Sequence, residues 1–288
     1  MKNLMWIVLV VLFSCQTETE FEFGAMTDCQ YCNQPSRGVR LYKKSTKKLK
    51  ECVKDYNTMD LKYVVHLGDF IDKDFSSFDD LIPITNKLKH PLYHVLGNHD
   101  FDVKDSEKHL VPAKMGLKDR YYTFEKGNWK FIALDGNDIS TYAWPKNSDQ
   151  HKESMKIYKE KYKGKATWNG GIGKEQISWL KKELAESEKK KQNVILYCHF
   201  PVYPKDPHNL WNAEEIIAVL EQYSCVKAYI NGHNHKGHYG VKKGIHYVTL
   251  KGMVDTETTA YAKVKVTEKE IIITGYGRQN SMKLKIRD

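Results

Sequence analysis

Five short stretches of this 288-residue chain carry side chains suited to metal chemistry. They are Asp28-Cys29-Gln30, Gly68-Asp69, Gly97-Asn98-His99-Asp100, His199, and Gly232-His233-Asn234-His235. Each alone says little, because an Asp after an apolar run commonly caps a turn and a single His is commonly a satisfied structural residue. Taken together, Asp28, Gln30, Asp69, Asn98, His99, His199, His233 and His235 are the donor set that a two-metal site needs. Carboxylate and amide oxygens with imidazoles suit divalent ions, and one carboxylate bridges the pair. Two such ions about 3.5–4 Å apart lower the pKa of a shared water, making hydroxide available near neutral pH.

The elements that must position these donors are legible from the apolar runs ahead of them. Phe23–Thr27 leads to Asp28, Tyr63–Leu67 to Gly68-Asp69, and Leu92–Leu96 to Gly97-Asn98. Val194–Cys198 leads to His199, and Val226–Ile230 to Asn231-Gly232-His233. Each run has strand length, and most are rich in β-branched or aromatic residues. Between them lie helical periodicities. Residues 46–57 place Leu49, Cys52, Val53 and Tyr56 on one face, residues 174–190 place Ile177, Leu180 and Leu184 together, and residues 212–223 do the same with Ile216, Val219 and Leu220. Alternating strands and helices predict an α/β fold, with ligands collected beyond the carboxyl ends of the strands. Residues 121–125 and 129–135 read as a hairpin around Lys126-Gly127-Asn128, and Ile245–Leu250, Ala260–Val266 and Glu270–Tyr276 as further strands. The expected architecture is a four-layer α/β/β/α sandwich of two mixed β-sheets flanked by helices. The polar, aperiodic stretch 136–165 reads as a long functional or mobile insertion.

The order D-x-[HQ], GD, GNH[DE], H, GHxH resembles the signature of calcineurin-like metallophosphoesterases, from about Phe23 to Lys285. Gln30, where most relatives carry His, is similar to the manganese-dependent ADP-ribose/CDP-alcohol diphosphatase branch. So are Trp168–Gln176, His199–Pro204, Trp211-Asn212, Tyr247–Gly252 and Tyr276-Gly277-Arg278. The resemblance implies one metal held by Asp28, Gln30, Asp69 and His235, and another by Asp69, Asn98, His199 and His233. Asp69 then bridges. The neutral Gln30 leaves its ion in a harder, oxygen-rich shell that fits Mn²⁺, while spacing alone leaves Fe²⁺ and Zn²⁺ open. The resemblance further implies that His99 stabilises the transition state or protonates the leaving oxygen, that Asp100 orients His99, and that Asn234 points away from the metals. Lys73 stands where close relatives often have Gly. Gly170 and Gly171, opening onto a helix start, are expected to contact substrate, and Arg40, Tyr42 and Arg278 to touch the nucleotide or its phosphates. The implied activity is hydrolysis of a phosphoanhydride in ADP-ribose or CDP-alcohols such as CDP-choline. The alternatives are another phosphoesterase acting on phosphomonoesters, cyclic nucleotides or nucleotide-linked lipids, and a binding protein that keeps the fold without catalysis.

Composition narrows the remaining classes. Hydrophobic residues make up 41% of the chain, enough to exclude a disordered protein. A net charge of +10 raises the question of nucleic acid, but only five of the 46 cations are arginine, the residue favoured for bidentate phosphate and guanine contacts. No basic stripe interleaved with aromatics is present, so a nucleic-acid partner is not expected. Lys43–Lys50 and Lys159–Lys165 read as solvated charge. Cys29, Cys32, Cys52, Cys198 and Cys225 are an odd, scattered set rather than a disulfide framework. The lone Cys29-x-x-Cys32 pair is compatible with a local disulfide or with buried thiols.

At the N-terminus, Lys2 precedes ten apolar residues, Leu4–Phe13, followed by Ser14-Cys15. That run is too short to cross a bilayer core of about 30 Å and has the layout of a secretory signal. Leu12-Phe13-Ser14-Cys15 resembles a bacterial lipobox. The expected organisation is a signal peptide at 1–14, a lipid-bearing Cys15, a tether over 15–22 and one domain over 23–288. The protein would then be an exported membrane lipoprotein, with a secreted soluble form as the alternative.

Overall fold

The computed structural model describes residues 20–287. The apolar run, Cys15 and the first part of the expected tether lie outside them. In chain order the elements are β1 (Phe21–Met26), α1 (Ser45–Tyr56), β2 (Val64–His66), α2 (Ser77–Thr85), β3 (Leu92–His94) and α3 (Val111–Lys114). Then come β4 (Tyr122–Lys126), β5 (Trp129–Ala133), α4 (Asp149–Ile157), α5 (Lys174–Lys189), β6 (Asn193–Tyr197) and α6 (Ala213–Leu220). The chain closes with β7 (Val226–Asn231), β8 (His238–Lys242), β9 (Ile245–Thr249), β10 (Ala260–Val266), β11 (Glu270–Gly277) and β12 (Met282–Lys285). The strands form two six-stranded sheets, ordered β12-β11-β10-β1-β2-β3 and β4-β5-β6-β7-β9-β8. Within them β1, β2 and β3 run parallel, as do β5, β6, β7 and β9. The carboxyl ends of each parallel set therefore emerge together.

Side-chain alternation builds the layers. Phe23 and Ala25 of β1, Val65 of β2, Phe131 of β5, Ile195 and Tyr197 of β6, and Ile230 of β7 point into one core between the sheets. There Phe23 stacks on Tyr63 at 4.8 Å, and the Tyr63 and Tyr197 hydroxyls meet at 2.9 Å. The opposite faces of β6 and β7 (Val194, Leu196, Tyr229) are covered by Leu180 and Leu184 of α5 and Ile216 and Leu220 of α6. Met26 and Val64, on the outer face of the other sheet, are covered by Leu49, Cys52, Val53 and Tyr56 of α1 and by Phe78 and Leu81 of α2. This is the four-layer sandwich expected from the sequence, with the helix faces as read there.

Several expectations need correction. Strand β1 starts at Phe21 and pairs Phe21 with Val266 and Glu22 with Lys265, so these two residues of the expected 15–22 tether belong to a sheet. The 136–165 insertion carries a helix: Ser148 caps α4 by accepting from the His151 amide, and the chain continues into a π-helical turn over Tyr158–Tyr162. Pro83 inside α2 hid that helix, since proline removes an amide donor. Strands β8 and β12 escaped because β8 is a largely exposed edge strand holding Gly240, and β12 has only four residues. All five cysteines of the described domain are buried free thiols, so Cys29 and Cys32 are not bridged. Lys48 is no solvated charge: it is 2% exposed, and its ammonium donates to the carbonyls of Met253 (2.7 Å), Val254 (2.9 Å), Asp255 (3.3 Å) and Thr256 (2.7 Å). Burial lowers its pKa to about 8.

Candidate metal centre

All the expected ligands leave the carboxyl ends of parallel strands. Asp28 and Gln30 follow β1, Asp69 follows β2, Asn98 follows β3, His199 follows β6, and His233 and His235 follow β7. Backbone pairing continues past the strand ends at this edge, within each sheet and, between Met253 and Thr27, from one sheet to the other. The Asp28 amide donates to Gly68 O (3.1 Å), the Gln30 amide to Asp69 O (2.9 Å), the Met253 amide to Thr27 O (3.0 Å) and the Gly232 amide to His199 O (3.0 Å). Such close approach requires glycine: a Cβ on Gly97 would lie 2.2 Å from the Asp69 amide nitrogen, and one on Gly232 would lie 2.0 Å from Thr27 Oγ1. Asp28 (φ 52°), Gln30 (43°), Asp69 (56°) and His233 (68°) are all left-handed. Non-glycine residues there cost on the order of 1–2 kcal/mol each, so the surrounding structure holds the donors in a conformation they would not adopt alone.

The side chains converge on Asp69. Its Oδ1 accepts from the His99 amide (2.8 Å), while Oδ2 accepts from Gln30 Nε2 (2.9 Å) and faces His199 Nε2 at 3.1 Å. His233 Nδ1 lies 3.2 Å from His199 Nε2. One donor atom each from Asp69, His199 and His233 falls within 4.8 Å of the others. Asp28 Oδ1 sits 3.3 Å from His235 Nε2. Each imidazole is oriented from behind, as ligating histidines usually are. His199 Nδ1 pairs with Leu67 O (2.8 Å), His233 Nε2 with Asn169 Oδ1 (2.8 Å), and His235 Nδ1 with Asp255 Oδ1 (2.9 Å). The nitrogens left over face carboxylates in His199 and His235, while that of His233 faces the His199 ring.

Electrostatics at the site are extreme. Burial opposes charge on His199, but Asp69 outweighs it and lifts the pKa to about 9. Burial likewise opposes charge on His235, and Asp28 with Asp255 raises it to about 9. His233 goes the other way, lowered by burial and then by the charge of His199. Asp69 is buried, which favours its neutral form, yet His199 and His99 hold it well below the usual carboxylate range. The oxygens Gln30 Oε1 and Asn98 Oδ1 are buried without a hydrogen-bond partner. An orphaned buried acceptor costs about 1–3 kcal/mol, and a divalent cation is the partner that the surrounding donor types suit. The residues present therefore fit two such ions.

A family model described as calcineurin-like phosphoesterase matches residues 21–237. The chain belongs to this family. A curated relative from Oryza sativa, named manganese-dependent ADP-ribose/CDP-alcohol diphosphatase, is 31% identical over 92% of this chain and 94% of its own length. A relative of the same name from Xenopus tropicalis is 29% identical over 94% and 96%. Among solved structures, a dimetal phosphatase from Danio rerio superposes with a TM-score of 0.84 at 25% identity, covering 93% of this chain and 99% of that one. The chain is thus a metal-dependent phosphoesterase over nearly its whole described length.

In this phosphoesterase some expected site residues take other places. Asp100 does not orient His99. Its carboxylate accepts four backbone amides, from Gly97 (2.8 Å), Asp69 (3.1 Å), Phe70 (2.8 Å) and Ile71 (3.2 Å), and burial beside Asp69 pushes its pKa up to about 7. The partner of His99 is Asp72, whose Oδ1 lies 2.8 Å from Nδ1. Burial works against charge on His99, but Asp69 and Asp72 prevail and raise its pKa. Gly170 and Gly171 are spent on structure: Gly170 O accepts from the Trp211 amide (2.8 Å) and the Gly171 amide donates to Ile139 O (2.8 Å). The start of α5 is likewise filled, since Asp138 Oδ2 accepts from the Gly173 amide (2.9 Å) and Gln176 Nε2 (3.1 Å). Arg278 points at backbone, donating to Gly252 O and, from Nε, to Thr258 O (3.2 Å). Arg40 and Tyr42 do face the site, lining a cleft of about 520 Å³ that also holds His99, Asp72 and Lys73. Asn234 donates to Asp206 Oδ2 at 3.4 Å, away from the centre as expected. Asp72, Asp255 and Lys48 are supporting residues that no short motif flagged, and Asn169, within the Trp168–Gln176 stretch, was given no role of its own there.

Proposed function

We propose that the protein hydrolyses the phosphoanhydride of nucleoside-diphosphate-linked compounds, ADP-ribose and CDP-alcohols, using two Mn²⁺ ions. Water adds to one phosphorus, the bridging P–O bond breaks, and a nucleoside monophosphate leaves with a phosphorylated sugar or alcohol. The observation that carries the reading is the full donor set around Asp69, with the neutral Gln30 amide bonded directly to that carboxylate (2.9 Å). It is supported by the activity for which the relatives are named, which align with more than nine-tenths of this chain. Asp28, Gln30, Asp69 and His235 would hold one ion, and Asp69, Asn98, His199 and His233 the other. Bound there, two divalent ions supply Lewis acidity and lower the pKa of a coordinated water toward neutrality. The chain's own residues do the rest. His99, steadied at Nδ1 by Asp72, offers its other ring nitrogen to the phosphoryl group or leaving oxygen, and its raised pKa favours the protonated, donating form.

The test is a kinetic panel with protein loaded in turn with Mn²⁺, Mg²⁺, Fe²⁺ and Zn²⁺. We expect Mn²⁺ enzyme to cleave ADP-ribose or CDP-choline in preference to phosphomonoesters, cyclic nucleotides and an aryl diester. Intact ADP-ribose and CDP-choline beside a turned-over monoester, under full metal loading, would overturn the substrate assignment.

We also propose that residues 1–14 direct export and that Cys15 carries a lipid anchor, on the support of Lys2 and the ten-residue apolar run. Among the described residues no helix is long and apolar enough to cross a membrane. The wild-type protein is expected in the detergent phase of a membrane extract and Cys15→Ser in the aqueous phase. Identical partition of the two would remove the anchor.

A further inference from the structure

Helix α1 carries a lysine on its buried face. Lys48 lies with Leu49, Cys52 and Tyr56, and only 2% of it is exposed. A charge is kept in such a place only when it has partners. Here all four acceptors are successive backbone carbonyls, those of Met253, Val254, Asp255 and Thr256, at 2.7, 2.9, 3.3 and 2.7 Å from Nζ. An ammonium has three donor hydrogens, so four oxygens at these distances surround it as a shell rather than pairing with it one by one. Carbonyl dipoles aimed at a common point repel one another, and a cation at the centre is what stabilises them, as in the carbonyl rings of K⁺ channel filters. Thr256 is left-handed (φ 57°), a conformation that a β-branched residue takes only under constraint. Burial lowers the pKa of Lys48 to about 8, which still leaves it charged at neutral pH.

The turn wrapped around this cation is the back wall of one half of the metal centre. The Val254 amide donates to Asp28 O (2.9 Å), the Gly252 amide to His235 O (3.2 Å), and Asp255 Oδ1 holds His235 Nδ1 at 2.9 Å. A Cβ on Gly252 would lie 2.7 Å from His235 Cγ and 3.1 Å from Asp28 Cβ, so the turn packs directly on both ligands. The imidazoles expected on the other ion, His199 and His233, are braced instead by Leu67 O and Asn169 Oδ1.

We propose that the carbonyls of residues 253–256 form a monovalent-cation site that the chain fills with its own Lys48 ammonium, and that this cation sets the positions of Asp28 and His235. Lys48 is then a positioning residue for one of the two metal ions, the one those ligands share. The inference rests on the two-ion reading above and is independent of which substrate is cleaved.

The experiment removes the tethered cation from the full-length protein and offers a free one. Lys48→Ala leaves the carbonyls facing a space that NH₄⁺ or methylammonium can enter, with tetramethylammonium at equal ionic strength as a control that is too large and donates no hydrogen bond. Mn²⁺ titration followed by the EPR signal of the free ion should show one of two sites weakened about tenfold to hundredfold in the variant, the usual loss when a partner behind a metal ligand is removed. NH₄⁺ and methylammonium should restore that site and raise the Tm of metal-free Lys48→Ala with concentration, while leaving the wild type unmoved. Lys48→Met fills the stem's space without charge and should show the same weakened site with no restoration. Should the alanine variant not fold, the methionine variant decides by whether one site or both are weakened. Equal weakening of both sites, or no difference between ammonium and tetramethylammonium, overturns the proposal. A wild type that binds fewer than two Mn²⁺ sinks the two-ion reading instead, and the ammonium-specific rise in Tm still decides the cation site.

Discussion

Asp69→Asn is expected to lower kcat/KM by at least about a thousandfold, equivalent to roughly 4 kcal/mol of transition-state stabilisation. The substitution is nearly isosteric, so the loss comes from charge and coordination rather than shape. Asp69 Oδ2 meets Gln30 Nε2 at 2.9 Å and His199 Nε2 at 3.1 Å, putting one carboxylate between the two donor groups. An amide there is neutral and turns a donor toward one of those neighbours, which removes the anion that would bridge two cations. Metal analysis should find fewer than two Mn²⁺ per chain under conditions that fill the wild type, with Tm little changed. A variant that retained two ions and turned over within tenfold of wild type would refute the bridging role.

Asp100→Ala should act on the fold rather than on proton transfer. The carboxylate satisfies four buried amides drawn from both the Gly68-Asp69 and the Gly97-Asn98 turns. Deleting it strands those donors, at a cost on the order of 3–5 kcal/mol of unfolding free energy by urea titration. Because the same amides belong to the turns bearing Asp69 and Asn98, metal affinity should fall with stability. Asp72→Asn makes the contrast: it touches the His99 ring, and its effect should appear in kcat with metal content intact. Less than about 1 kcal/mol lost in Asp100→Ala would mean the amides find other partners, and the strut assignment would fail.

These two acids separate what was legible in the chain from what was not. Read in order, the residues identified seven ligand candidates, His99, and the strands that deliver them. That worked because parallel strands with buried faces are written as short apolar runs, and the loops beyond their carboxyl ends are where donors collect. The helix faces of α1, α5 and α6 were equally plain, because a period near 3.6 leaves its mark within a dozen residues. Elements without such marks were not legible: α2 is interrupted by Pro83, and β12 is too short to show alternation.

What each donor rests against was decided only by the tertiary structure. His233 is oriented by Asn169, 64 residues earlier, and Lys48 reaches carbonyls more than 200 residues away, next to the aspartate that holds His235. His99 pairs with Asp72 rather than with its chain neighbour Asp100, since the turn aims the Asp100 carboxylate inward at amides. Gly170 and Gly171 looked like an anion loop, yet Asp138 and Ile139 from the preceding insertion already take up the donors there. The sequence by itself determined the donor inventory and the sheets that carry it, because residue type and local periodicity are properties of the chain. Partnership, burial and the left-handed backbone at Asp28, Gln30, Asp69 and His233 arise only when the two sheets close on each other, because they belong to contacts between segments that the chain order keeps far apart.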